Sequence, residues 1–206
     1  SVAAAAGLDA LTHLVEAYVS TGAQPTTDAL ILPGIRHALR GLRALATSAT
    51  DAASEESMAL ASLWGGMALA NAGLGAVHGL VAPLGGRCGM AHGAACGCLL
   101  APTWSMNLRA LRERVPAHPA IGRYAELAAL IVREGEPTPE RAAAELGDLR
   151  RRLGVRPLGD YGVAEAALGG VIAGSRAGSM KYNPIVLTDA ELDEILRAAL
   201  NEPAAA

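Results

Sequence analysis

Apolar residues recur at intervals of three and four from position 5 onward, through Leu8, Leu11, Leu14, Val15 and Tyr18, and mark one face of a helix. It stops at the Ser20-Thr21-Gly22 turn. A second helix is expected next, capped by Thr26 or Thr27, with Asp28 at its positive end and an apolar face through Leu30, Ile35, Leu39 and Leu42. Pro33 within that pattern predicts a bend or a late first turn. Polarity then all but vanishes, since between 57 and 108 the only formal charge is Arg87. In this region the spacing predicts a helix over 58–71 and a shorter one over 74–84, broken by Pro83. A turn at Gly85-Gly86 follows, then a helix from His92-Gly93 that relaxes near Pro102. The Pro116-Ala117-His118-Pro119 loop leads into a helix over 121–132. Thr138 and Pro139 cap and open another, which carries Leu146, Leu149 and Leu153 and ends at Gly154. Near the C-terminus Thr188 and Glu191 form a capping box and Leu187 and Leu192 a hydrophobic staple, so the last helix covers 189–200 ahead of a frayed tail over 201–206. No segment reads as a strand and no repeat is visible. The expected fold class is all-α.

Composition sharpens this picture. At 51% apolar and 18% charged, the 206 residues suffice for a substantial core, and the absence of Phe alongside 24 Gly argues against a β-sandwich or barrel. A net charge of −3 supplies no broad positive field, so a nucleic-acid partner is not expected. The stretch 58–86 is long enough to cross a bilayer, which takes about 20 apolar residues. Asn71, His78, Trp64 and scattered glycines interrupt it, so a buried hairpin of core helices is expected and no membrane partner. Residues 1–6 carry no basic leader, and no signal peptide is expected. Cys88, Cys96 and Cys98 are too few and odd in number for a disulfide framework; they read as reduced, partly buried thiols of a cytoplasmic protein. Cys96-Gly97-Cys98 is a weak signal for a soft-metal or redox pair, having no second pair to complete it.

Candidate chemistry centres on histidine. Asp9 and His13 stand four apart on the first helix, about 6 Å along its axis, and share a face from which carboxylate and imidazole reach one ion. His78 and His92 bracket a Gly-rich turn that can return the chain to the same point. One carboxylate and three imidazoles suit iron(II) or zinc(II) better than calcium or magnesium, which require more oxygen ligands. Structural roles stand beside this reading: Asp9 as a first-turn cap, His13 at the edge of the core, His92 as a cap of the following helix. His78 lies in the most apolar stretch, where an imidazole needs a specific partner to offset its burial. His37, beside Arg36 and Arg40, and His118, between prolines, read as surface residues.

The blocks "GLDALTHLVEAYVS" (7–20), "PTTDAL" (25–30), "NAGLGAVHGLVAPLGG" (71–86), "MAHGAACGCLLAP" (90–102) and "SMKYNPIVLTDAEL" (179–192) carry a resemblance. In that order they resemble the second, helical domain of the iron-containing, or group III, alcohol dehydrogenases, a dehydroquinate synthase-like fold. The resemblance covers nearly the whole chain. It implies a metal held by Asp9, His13, His78 and His92, and an oxidoreductase acting on a small alcohol or aldehyde with NAD or NADP. The ion would lie in the cleft between two domains and act as a Lewis acid for hydride transfer. Because ligating histidines are neutral, activity should fall toward acidic pH. Asn71, Gly75 and Gly79 are expected to let helices approach near the metal, and Gly86, Arg87 and Met90 to line the cleft, with packing and a solvated head group as the alternatives. A homo-oligomer is expected.

Two departures qualify the implication. Ala82 stands where the family typically has a second histidine, four residues after the first in the Gly-rich block, so no proton relay passes through that side chain. The family's N-terminal nucleotide-binding domain is also expected to be absent: residues 1–206 read as the helical metal-binding domain alone, and their glycine clusters lack the strand–turn–helix setting of a dinucleotide loop. By this reading the isolated chain is inactive until that domain is supplied. The alternatives are an enzyme like maleylacetate reductase or glycerol dehydrogenase, for which Arg87 and Arg176 would be the residues to test, and a non-catalytic metal-binding or assembly module.

Overall fold

The computed structural model describes residues 1–201, and all regular structure among them is helical. In chain order the helices are α1 (Val2–Val19), α2 (Pro25–Ala46), α3 (Ala52–Ala72), α4 (Ala76–Cys88), α5 (His92–Arg114), α6 (Ala120–Ile131), α7 (Pro139–Arg152), α8 (Leu168–Ser175) and α9 (Asp189–Asn201). Short 3-10 turns at Leu158–Tyr161, Glu165–Ala167 and Gly178–Tyr182 thread the region before α9.

α1 starts where the Ser1 hydroxyl accepts the Ala4 amide hydrogen, and it buries Leu8, Leu11, Leu14, Val15 and Tyr18 against α2, α3 and α5. The long α5 crosses the core and also meets α4, α6, α7 and α9. Trp104 on α5 is buried edge-on against Tyr124, and its indole N–H donates to the Pro139 carbonyl at 2.9 Å. At the other end of α1, the Ser20 hydroxyl donates to the Ala72 carbonyl at 2.6 Å and ties the C-terminus of α1 to that of α3. The predicted capping box forms as expected: the Glu191 carboxylate accepts from the Thr188 amide at 2.6 Å, and the Thr188 hydroxyl accepts from the Glu191 amide at 3.2 Å.

Several local expectations are corrected. α2 begins at Pro25, so Thr26 and Thr27 fall inside its first turn. Thr27 instead closes back on Gln24, accepting its amide and donating to its carbonyl. Pro33, Pro83 and Pro102 all sit inside continuous helices. Buried neighbours on both sides, such as Ile31 and Ile35 about Pro33, hold the helix across the missing hydrogen bond. Gly85-Gly86 is not a turn, because α4 runs on to Cys88 with its flank packed on α8 and stops at the left-handed Gly89. The expected frayed tail is helical at Asn201, and its remainder lies outside the described residues.

The charge-poor stretch folds as α3 and α4, which meet at 103°. Only half of the buried-hairpin expectation holds. α3 buries Ser54, Ser57, Ala61, Gly65, Ala68 and Ala72, a stripe of small residues, while Leu63, Met67 and Leu69 face outward. Small side chains let α3 lie close on α1 and α2, which turns the larger ones away. By length and composition α1 is also apolar enough to cross a membrane, and 67% of that stretch is buried inside the protein.

Candidate metal centre

Three helices aim side chains at one carboxylate oxygen. α1 supplies Asp9 and, one turn on, His13; the first turn of α4 supplies His78; the first two turns of α5 supply His92 and Cys96. From Asp9 Oδ1 the distances are 3.2 Å to His78 Nε2, 3.2 Å to Cys96 Sγ, 3.5 Å to His92 Nε2 and 3.6 Å to His13 Nε2. The His13 and His78 rings stack with centroids 4.6 Å apart. α5 reaches this close to α1 because position 93 is glycine: a Cβ there would stand 2.3 Å from the Ala5 carbonyl oxygen. Gly75 does the same for the start of α4, where a Cβ would meet Asn183 Oδ1 at 2.8 Å and Glu16 Oε1 at 2.9 Å.

Glu16, buried behind the cluster, orients it. Its carboxylate accepts from the Val77 amide at 2.7 Å, the His78 amide at 3.3 Å and His78 Nδ1 at 2.7 Å, and so caps the N-terminus of α4. A carboxylate only accepts, so Nδ1 carries the hydrogen and Nε2 is the atom presented to Asp9. Burial disfavours the charged ring, but hydrogen bonds with Asp9, Cys96 and Glu16 outweigh it and raise the His78 pKa well above the ordinary value. Burial likewise opposes ionisation of Asp9, yet the His78 hydrogen bond and the His13 charge hold its carboxyl at about 2. Burial lowers His13 despite Asp9 beside it, and burial pushes the Cys96 thiol up to about 12.

The chemistry of this set fits a divalent cation. One carboxylate oxygen has two lone pairs, too few for three imidazole nitrogens and a thiol within 3.6 Å of it. Ligand atoms about 2.1 Å from a shared ion stand about 3.0–3.4 Å from one another, close to the observed separations. The cluster is graded in depth: Cys96 is fully buried, His78 nearly so, and the His92 side chain is 56% exposed.

The structure therefore brings all four expected residues, Asp9, His13, His78 and His92, into one cluster. Asp9, His78, His92 and Cys96 form the set whose ligand atoms all lie within 4.8 Å of one another; His13 joins through Asp9 and its stacking on His78. Sequence reasoning missed Cys96 and Glu16. Both were signalled, since Cys96 follows His92 by the same four residues that separate Asp9 from His13, and Glu16 follows His13 by three on the same helix. Of the expected approach residues, Asn71 is exposed and donates to the Met67 carbonyl, while Gly79 lies against Met180. Among the expected cleft residues, Gly86 is exposed, Met90 is buried in the core and Arg87 lies along α8. Arg176 is engaged by the Leu187 carbonyl and Asp189. His37 is more enclosed than expected, edge-on to Trp64, and His118 accepts the Ala120 amide at the start of α6.

An all-helical domain with an Asp/His/Cys cluster of this kind defines a metal-binding class of domain. Residues 3–200 match the Fe-containing alcohol dehydrogenase family, C-terminal. The chain belongs to that family and corresponds to its C-terminal domain. It is 39% identical over 175 residues to the 1,3-propanediol dehydrogenase of Klebsiella pneumoniae, covering 81% of this chain and 42% of that protein. With alcohol dehydrogenase 4 of Schizosaccharomyces pombe it shares 36% over 202 residues, 97% of this chain and 46% of that protein. A crystal structure of a 1,3-propanediol oxidoreductase superposes with a TM-score of 0.83 at 35% identity, over 95% of this chain and 51% of that one. The chain spans about half the length of the curated relatives it matches.

Proposed function

We propose that this chain is the metal-binding catalytic half of an NAD(P)-dependent alcohol dehydrogenase. In this reading Asp9, His13, His78 and His92 hold iron(II) or zinc(II), and the complete enzyme, a homo-oligomer, interconverts a small alcohol and an aldehyde. The observation that carries it is the convergence of three imidazole nitrogens on one oxygen of Asp9, at a site open through His92. A divalent cation there supplies Lewis acidity toward an alcohol or carbonyl oxygen. Asp9 contributes the negative charge that holds the cation, and Glu16 fixes the ring of His78 so that its Nε2 faces inward. His92 marks the open edge by which substrate arrives. Ala82, exposed one turn beyond His78, carries no group able to move a proton, so an alcohol proton on that side passes to water.

The hydride carrier belongs, in this proposal, to a nucleotide-binding domain outside these 206 residues. α3 turns the apolar Leu63 and Met67 outward, on the face opposite Gly65 and His13, and these exposed side chains support docking of that domain against α3. The test is to assay the metal-loaded chain with and without a relative's nucleotide-binding domain, following nicotinamide absorbance with NAD or NADP and a panel of primary alcohols and aldehydes. Turnover is expected only from the combination, and Asp9→Ala should abolish it. Turnover by the chain alone would overturn the half-enzyme reading. Metal binding without turnover in the combination would point to a non-catalytic metal-binding module.

A further inference from the structure

We infer that Cys96 is itself a ligand of the bound cation, through its thiolate, and that it biases the centre toward zinc(II) over iron(II). This rests on the metal-centre reading above and deepens it. Cys96 Sγ lies 3.2 Å from Asp9 Oδ1 and 3.6 Å from His78 Nε2, and it belongs to the set of four whose ligand atoms are mutually within 4.8 Å. His13 does not belong to that set. The sulfur is fully buried at the floor of the cluster, so its closest polar neighbours are the other ligand atoms and it has no surface role to play. The two remaining thiols are placed differently: Cys98 donates to the Arg156 carbonyl at 3.0 Å, and Cys88 lies at the end of α4.

The position follows from helix geometry. His92 and Cys96 are one turn apart on α5 and face Asp9 and His13, one turn apart on α1, with His78 of α4 between them. Two i,i+4 pairs on facing helices thus enclose one point, and Cys96 occupies the inner corner. When the cation enters, the sulfur–hydrogen bond breaks, the sulfur–metal bond forms and the proton leaves to bulk solvent through the open side at His92; no electron is transferred. A coordinating thiol is deprotonated outright by a divalent metal. Thiolate is a soft ligand and zinc(II) already lies above iron(II) in intrinsic affinity, so replacing a hard or empty position by sulfur widens that gap.

The experiment is to strip the full chain with a chelator, reload it anaerobically with one equivalent of cobalt(II), and record its absorption. The wild type and a Cys88→Ser/Cys98→Ser variant should both show a near-ultraviolet thiolate-to-cobalt charge-transfer band together with visible ligand-field bands. Cys96→Ser should lose the first and keep the second. Chelator competition on the same proteins should show zinc(II) affinity falling on the order of a hundredfold in Cys96→Ser, at the upper end of what even an outer-sphere change does, with a smaller loss for iron(II). Ligand-field bands without a charge-transfer band in the wild type, or a band that survives in Cys96→Ser, would overturn the assignment while leaving the metal centre standing. Equal losses for the two metals would overturn the preference. A wild-type chain that takes up no cobalt at all would overturn the centre and Cys96 with it.

Discussion

Two buried polar clusters lie back to back across Glu16 and Gly75, and they are built on opposite principles. In one, Asn183 donates to the Asn107 side-chain carbonyl and the Ile185 carbonyl, both at 2.7 Å, and accepts from Asn107 Nδ2 and the Ala76 amide, both at 3.1 Å. Asn107 gives its other hydrogen to the Tyr124 hydroxyl. Asn183 thereby uses both hydrogens and both lone pairs, and the network joins α4, α5, α6 and the turn before α9. In the other, Asp9 is surrounded by more nitrogen and sulfur atoms than its oxygen can satisfy. A saturated network fixes one structure and invites nothing further, whereas an oversubscribed one gains when an ion takes its centre.

Experiments that break this contrast range from large to small. Asp9→Ala should take metal content from one ion per stripped and reloaded chain to none by elemental analysis, with the metal-free fold intact by circular dichroism. Asn183→Ala should do the reverse. It leaves the Ala76 amide hydrogen and the Asn107 side-chain oxygen without their partner, so urea unfolding should show a loss of about 3 kcal/mol while saturating metal still fills the site. Glu16→Gln sits on the boundary between the clusters. It should weaken metal binding roughly 10–100-fold by chelator competition without abolishing it, because the His78 ring loses its charged anchor and no ligand atom is removed.

Acid sharpens the same contrast. A cation bound at the proposed centre would displace a proton from His78 Nε2, whose pKa Asp9, Cys96 and Glu16 raise, so affinity should rise with pH and fall on acidification. Isothermal titration should show about tenfold per pH unit for each proton displaced, whereas the amide network carries no such dependence. Thr188→Ala lies outside both clusters. It removes the α9 cap for about 1 kcal/mol by thermal or urea unfolding and should leave metal affinity unchanged.

Much of the site was legible because its parts are local. Asp9 and His13 advertise a shared helix face by their spacing, and His78 stands out as an imidazole in an uncharged run. The fold class followed equally from three- and four-residue periodicity. What escaped had a weak local signature or none. The region 155–187 carries 3-10 turns and α8, too short for periodicity to register. The helix passes through Gly85-Gly86 because α8 packs against it. Cys96 read as half of an incomplete cysteine pair, and its partners, Asp9 and His78, are remote in sequence.

The chain's own order of residues determined that it would be helical, which residues would cap or open several of its helices, and which side chains were eligible to bind a cation, since these depend on neighbours within a turn or two. The tertiary structure alone decided that Cys96 stands among them, that Glu16 anchors His78, and that α3 turns its larger side chains outward. Each depends on how closely one helix surface lies on another, a distance set by glycines and small residues on elements far apart in the chain.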